Sequence, residues 1–144
     1  MAEQWTQPGP PADESGYLDA LARVMFQTGI SWRVVEAKWP GIRAAFQDFD
    51  PDSVAALDAA DIDRLMADTR VIRNRKKLEA VVANARLMRD LAREHGGFGP
   101  YLDSLGDFQA ARTGLKKRFA FVGDSGAWWF LWAVGRPVPQ DEHH

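Results

Sequence analysis

The 144-residue sequence contains no cysteine. Disulfide bonds are therefore excluded, and so is every zinc site that depends on thiolate ligands. Three histidines remain, and two of them, His143 and His144, lie in a polar, proline-flanked tail that is more typical of disorder than of a ligand pair. We predict neither a metal site nor a cofactor.

Long apolar runs and a strong net charge are also missing. No segment approaches the roughly 20 apolar residues that span a membrane, and residues 1–15 lack the basic and apolar regions of a signal peptide. We therefore expect a cytoplasmic protein without a membrane partner. The formal charge of -2 means that bulk charge alone does not indicate a nucleic-acid partner.

What the sequence does have is enough apolar material for one core, since 46% of its residues are hydrophobic. Its composition divides it into a proline-rich N-terminal arm over 1–13, which we predict to be flexible, a single helical domain over 14–137 and a polar tail over 138–144. Trp5 could anchor the arm. We expect a monomer.

Apolar residues recur at spacings of three and four, which is typical of helices that bury one face. There is no convincing alternating pattern of a strand, so we predict an all-α fold. Ser15 and Ser31 are predicted to cap two helices, and Pro40 with Gly41 is predicted to interrupt the second. Further helices are predicted from the Asp50-Pro51 pair onward, within 98–105, and over 58–67, 78–91, 108–118 and 126–134.

Charge reverses sharply in the middle of the sequence. From Asp48 to Asp68 there are seven aspartates and one arginine, and five basic residues follow within 70–77. A basic turn that opens a helix can hold a DNA phosphate with its cations and with free backbone N–H groups, but composition alone slightly favours a solvated surface that balances the aspartates. These candidate phosphate ligands are Arg70, Arg73, Arg75, Lys76 and Lys77.

Two further groups can extend this interpretation. Lys116, Lys117 and Arg118 could continue a phosphate track, or could simply stabilise the C-terminus of a helix through its dipole. Indole rings can stack an extruded base, which makes Trp32 and Trp128 candidates. Packing in the core is favoured for the tryptophans of the last helix, because adjacent side chains cannot share one face.

Several motifs are specific enough to indicate a family. FQTGISW, FQDFDP and a VIRNRKK turn followed by a helix ending in NA lie in order between residues 26 and 85, and LKKRFAFVG opens a second block over 115–135. Both blocks resemble the DNA-3-methyladenine glycosylase I family. The resemblance implies a helix-hairpin-helix fold, in which the hairpin over 69–77 holds double-stranded DNA while a damaged base is flipped into a pocket.

The resemblance also implies an activity and a pocket. The activity is hydrolytic release of alkylated purines such as 3-methyladenine during base-excision repair. Trp32 would be the platform under the base, while Gln27, Gly29 and Ser31 would shape the entrance. A cationic base would be held by stacking and cation–π attraction.

The chain departs from the family pattern at functional positions. Val24 stands where relatives carry a glutamate, residues 1–16 do not match the family's N-terminal segment, and the zinc ligands are absent. Arg70 and Lys76 replace the usual hairpin glycines. Tyr17 or Trp5 could substitute for the missing N-terminal aromatics.

Other carboxylates could replace the missing glutamate. Glu36 lies one helical turn after Trp32, and Asp124 follows the FVG turn. An ion pair for Glu36 and a helix cap for Asp124 are the favoured structural roles, and Asp103 fits poorly in its sequence context. Three alternatives stay open: a non-catalytic DNA-binding or damage-sensing module, a glycosylase of different base specificity, and a helical protein-interaction domain.

Overall fold

A computed structural model describes residues 6–140, so Trp5, His143 and His144 lie outside the described residues. Between residues 6 and 140 the chain is all-helical, as predicted, and none of its helices is long and apolar enough to cross a membrane. The elements are α1 (Glu14–Gln27), α2 (Trp32–Ala45), a 3₁₀ turn (Gln47–Phe49), α3 (Pro51–Ala55), α4 (Ala59–Met66), α5 (Arg75–His95), α6 (Phe98–Ser104), α7 (Phe108–Arg118) and α8 (Asp124–Ala133).

The longest helix, α5, is the centre of the fold and contacts α1, α3, α4 and α6. The Asn74 side chain begins it by accepting a hydrogen bond from the backbone N–H of Lys77 at 3.2 Å. Gly96 ends it with a φ of 80°, the left-handed conformation that glycine adopts without strain. The helix predicted over 78–91 therefore begins three residues earlier and ends four residues later than expected.

Two details of the first helices differ from the prediction. Asp13, not Ser15, caps α1, because its carboxylate accepts from the N–H of Gly16 at 3.0 Å. Pro40 does not interrupt α2, which is helical from Trp32 to Ala45. Trp39 and Ile42, on either side of the proline, are almost fully buried. Burying each of them stabilises the helix by about 1.5–3 kcal/mol, which offsets the roughly 3 kcal/mol that an internal proline costs.

The 3₁₀ turn after α2 has an unusual backbone. Gln47, Asp48 and Phe49 have φ values of 58°, 55° and 56°, a left-handed conformation that costs roughly 1–2 kcal/mol for each residue that is not glycine. The turn places the fully buried Phe49 ring parallel to Trp39 and Phe46, with centroids 5.4 and 5.3 Å away. Aromatic packing therefore offsets the strain of the turn.

The described parts of the N-terminal arm and the C-terminal tail pack against α8. The Gln7 side chain donates to the carbonyls of Trp132 at 3.1 Å and Arg136 at 2.7 Å. Gly135 has a φ of 81°, and a Cβ atom there would lie 2.9 Å from the carbonyl carbon of Gly9. In the tail, the carbonyl of Pro139 accepts from the Trp128 indole at 2.8 Å. Polar composition alone did not indicate these contacts.

We expect Phe49→Ala to lower the free energy of unfolding by about 3–5 kcal/mol, because it leaves a cavity between two rings and keeps the strained turn. Urea denaturation followed by circular dichroism measures this change. Val34→Ala on the exposed face of α2 is the matched control and should cost less than about 1 kcal/mol. An equal effect of the two substitutions would contradict the role assigned to the stack.

Candidate active site and nucleic-acid interface

A cavity of about 550 Å³ lies where α1, α2 and α8 meet. Ser31 begins α2 as predicted, since its hydroxyl accepts from the N–H of Arg33 at 3.2 Å. This cap makes Trp32 the first helical residue, with a side chain 55% exposed and lining the cavity. Gln27 and Val24 from α1 line it as well. The cavity has the volume that small-molecule sites usually have.

The α8 tryptophans that line this cavity are Trp129 and Trp132, whose rings are 5.6 Å apart. Trp128, which the sequence analysis had assigned to the pocket, is only 4% exposed and bonds to the tail instead. The reason is helical periodicity, because residues three apart share a face while adjacent residues do not. Trp132 lies three residues after Trp129 and four after Trp128, so spacing alone does not select the pair, and the packing of α8 decides which face lines the cavity.

A charged cluster forms the polar part of the same cavity. Arg23 donates through Nη1 to both carboxylate oxygens of Glu36, at 2.7 and 2.9 Å, and through Nε to Asp19 at 3.1 Å. Asp19 also accepts from the Trp39 indole at 3.0 Å. Sequence reasoning found Glu36 but missed Asp19 and Arg23. Their spacing of four residues on α1 is the signal that could have indicated them.

A second cavity, of about 630 Å³, shares Val24, Gln27 and Trp129 with the first. Asp124 lines this second cavity and pairs with Lys116 at 2.7 Å. The hydrogen bond from Lys116 lowers the pKa of Asp124, which keeps its carboxylate ionised.

Of the two candidate catalytic carboxylates, only Glu36 lines the cavity that Trp32 lines. Asp124 is the first residue of α8, and the backbone of Gly123 precedes it as the cap without a side-chain hydrogen bond. The expected capping role of Asp124 is therefore wrong. Asp103 forms an ion pair with Arg136 and lines neither cavity.

The loop between α4 and α5 spans residues 67–74, so the last three of the five predicted phosphate ligands belong to the first turn of α5. Lys77 is the third residue of that turn and is only 4% exposed. Its ammonium donates to the carbonyl of Phe26 at 3.3 Å and to that of Thr28. Burial lowers the pKa of Lys77.

Lys77 is therefore not a phosphate ligand, and that part of the prediction is wrong. Helical geometry turns it inward, while Arg75 and Lys76 before it are exposed. Its ammonium instead connects the start of α5 to the end of α1, beside the cavities. A run of basic residues in the sequence does not show which side chains point to solvent and which point into the protein.

The other cations of this loop differ in their availability. Arg70 forms an ion pair with Asp68 at 2.7 Å and lowers the pKa of that carboxyl to about 2. Arg75 pairs with Asp63 at 2.5 Å. Arg73 and Lys76 form no ion pair within residues 6–140, and no described residue accepts from the backbone N–H groups of Arg75 and Lys76. The start of α5 therefore offers an anion two free N–H groups, with two exposed cations within three residues of them in the sequence.

The basic group at the end of α7 is divided in the same way. Lys116 pairs with Asp124, whereas Lys117 and Arg118 are exposed and form no ion pair with another described residue. The loop after them is fixed to α5 by Asn84, which donates to the carbonyl of Ala120 and accepts from its N–H, both at 3.0 Å. Asn84 is buried, where its amide needs hydrogen-bond partners, and these two bonds supply one for the amide nitrogen and one for the amide oxygen.

Phe121 lies at the tip of that loop. It is 38% exposed, has a φ of 60°, and its ring centroid is 5.9 Å from the Lys77 ammonium. Its side chain lines the second cavity. The sequence analysis did not identify this exposed aromatic ring beside the site.

Comparison with known proteins agrees with this arrangement. A family model described as methyladenine glycosylase matches residues 2–118. The match therefore includes most of the N-terminal segment that sequence analysis had left outside the resemblance.

Individual relatives give the same result. DNA-3-methyladenine glycosylase 1 of Escherichia coli K12 is 31% identical over 150 residues, covering 88% of this chain and 79% of the relative. DNA-3-methyladenine glycosylase of Haemophilus influenzae is 32% identical over 147 residues, covering 88% and 80%. The structure of 3-methyladenine DNA glycosylase I from Staphylococcus aureus aligns with a TM-score of 0.77 and 30% identity, covering 88% of this chain and 78% of that one. The family expected from the sequence motifs is confirmed, and the chain belongs to the methyladenine glycosylases.

Proposed function

We propose that this chain is a monofunctional DNA glycosylase that releases 3-methyladenine and similar alkylated purines during base-excision repair. The observation that carries the proposal is the cavity lined by Trp32, Trp129 and Trp132 in a member of this family. Trp32 is 55% exposed, so its indole has free surface for a base that has left the duplex.

Cleavage of the N-glycosidic bond needs little catalytic assistance from the protein once the base is bound in the cavity. A purine alkylated at a ring nitrogen carries positive charge, so it is a good leaving group: it takes the electron pair of the N-glycosidic bond and departs as a neutral base. Indole faces attract such a ring by stacking and by cation–π interaction. Water then attacks the sugar. No lysine lines the Trp32 cavity among the described residues, which supports hydrolysis over imine chemistry.

The start of α5 is the part of the surface best suited to hold the DNA backbone. Arg73 and Lys76 are exposed there beside the free N–H groups of the helix, and Lys117 with Arg118 offers a second exposed pair. Lys77 and Asn84 connect α5 to the end of α1 and to the loop that lines the second cavity. Phosphate binding and base binding would then occur at a fixed separation.

We further propose that the protein acts as a cytoplasmic monomer. The large apolar side chains exposed between residues 6 and 140 are Trp32, Val34 and Phe121. Trp32 and Phe121 line the two adjoining cavities, and Val34 follows Trp32 on α2. Two of these three side chains, Trp32 and Phe121, are thus on the side proposed to meet DNA, which supports a monomer.

We expect the protein to release 3-methyladenine from methylated duplex DNA. Trp32→Ala should slow this release by about 5-fold to 150-fold, because stacking of one base on an aromatic ring contributes about 1–3 kcal/mol. Single-turnover chromatography of the released base measures this. Val34→Ala, on the same exposed helix, should retain the wild-type rate. If the wild-type protein releases no base at high concentration but still binds DNA in a salt-sensitive way, the enzymatic proposal fails.

We expect the double variant Arg73→Ala/Lys76→Ala to weaken duplex binding uniformly across sequences and to reduce the slope of log K against log salt by about 2, one for each lost phosphate contact. Fluorescence anisotropy at several salt concentrations measures both quantities. Arg70→Ala is the matched control, because Asp68 already neutralises its charge. An unchanged slope in the double variant would place the DNA elsewhere.

We expect Lys77→Met to lower the free energy of unfolding by about 1–3 kcal/mol, because two carbonyls lose a buried donor. The salt slope of DNA binding should stay at the wild-type value, since Lys77 does not reach phosphate. Thermal unfolding and the same anisotropy series measure the two effects. A reduced slope without loss of stability would return Lys77 to the phosphate ligands.

A further inference from the structure

One polar group in the Trp32 cavity is placed to contact the edge of a stacked base. Glu36 follows Trp32 by one turn of α2, so the two side chains are neighbours on the helix surface, and both line the cavity. The Glu36 side chain is 41% exposed, which leaves its carboxylate accessible to a ligand.

Arg23 fixes the direction of this carboxylate. One nitrogen of its guanidinium donates to both oxygens of Glu36, and Nε donates to Asp19. The guanidinium also lies over the Trp39 ring, 5.0 Å from its centroid. A carboxylate offers about four acceptor positions, so Glu36 can accept further N–H groups while it remains bonded to Arg23.

The other nearby carboxylates are less suited to this contact. Asp19 lines the cavity but already bonds to Arg23, Arg43 and the Trp39 indole, and its side chain is only 19% exposed. Asp124 lines the second cavity, where Lys116 binds it. Val24, at the wall shared by the two cavities, presents only an apolar side chain.

Charge balance supports the same choice. Asp19, Arg23, Glu36 and Arg43 are joined by ion pairs and are neutral as a group. Glu36 therefore cancels the charge of Arg23, which would otherwise repel a cationic purine at the cavity wall. A neutral residue at position 36 would leave Arg23 facing the base with only Asp19 to balance it.

We propose that Glu36, held by Arg23, is the carboxylate that contacts the alkylated purine and selects it. This inference rests on the proposed function and deepens it. Glu36 accepts an N–H of the base and keeps Arg23 from repelling the alkylated ring, while Trp32 stacks on its face. Arg23 is the positioning residue.

The test compares Glu36→Gln with Glu94→Gln, an exposed carboxylate at the opposite end of α5 from the hairpin. Binding of free 3-methyladenine is followed by quenching of tryptophan fluorescence, and release from methylated DNA by single-turnover kinetics. Loss of a charged hydrogen bond is worth about 1.5–3 kcal/mol, so Glu36→Gln should weaken binding and slow release by roughly 10-fold to 150-fold. Glu94→Gln should match the wild-type protein in both.

A rescue variant separates contact from mere structural support. Val24→Glu/Glu36→Gln moves the carboxylate to α1, on the wall of the same cavity, and should recover at least part of the lost binding. Glu36→Gln should unfold within a few degrees of the wild-type protein, because an exposed ion pair contributes at most about 1 kcal/mol. Rescue together with unchanged stability supports the contact.

The outcomes distinguish this inference from the proposed function. If the wild-type protein releases 3-methyladenine and Glu36→Gln matches it within twofold in binding and release, the role of Glu36 is overturned and the function stands. If the wild-type protein binds the free base through Glu36 but releases none from DNA, the function is overturned and the contact stands. Loss in Glu36→Gln with no rescue by the double variant overturns the contact as well.

Discussion

The arrangement of the whole site depends on one buried ammonium group. Lys77 enters the protein from the first turn of α5 and donates to two carbonyls at the end of α1. Those carbonyls belong to the last turn of α1 and to its C-cap residue, where no helical partner remains for them. The lysine, from the first turn of α5, therefore satisfies the unpaired carbonyls at the end of α1. It also holds the basic loop next to the cavities. Asn84, two turns further along α5, holds the loop that follows α7 by two hydrogen bonds to the backbone of Ala120.

Local signals predicted the helices better than the contacts between them. Ser31 caps α2 through a backbone group two residues away, as predicted, and the spacing of apolar residues fixes which face of α5 is buried. The continuity of α2 through Pro40 depends instead on how deeply its neighbours pack, which is a tertiary effect. The inward direction of Lys77 is of the same kind, because it requires two carbonyls distant in sequence.

The candidate site divides in the same way. Trp32 and Glu36 could be found because both belong to one helix, one turn apart. Arg23 and Asp19 come from α1, and their part in the cavity follows from the packing of α1 against α2. The choice between Trp128 and Trp129 needed the orientation of α8, which the nearly uniform apolar sequence of that helix does not define. Resemblance to a family identified the scaffold, but it did not identify the carboxylate particular to this chain.

Gly135 allows the N-terminal arm to form part of the Trp32 cavity, a role that the composition of the arm does not indicate. The backbone over residues 8–10 crosses this glycine at a distance that leaves no room for a Cβ atom. Pro8, carried by the same crossing, is one of the residues that line the Trp32 cavity. The smallest side chain at position 135 would displace the arm and remove part of a wall that a bound base would touch. The absence of a side chain at position 135 thus determines how well the cavity is closed to solvent.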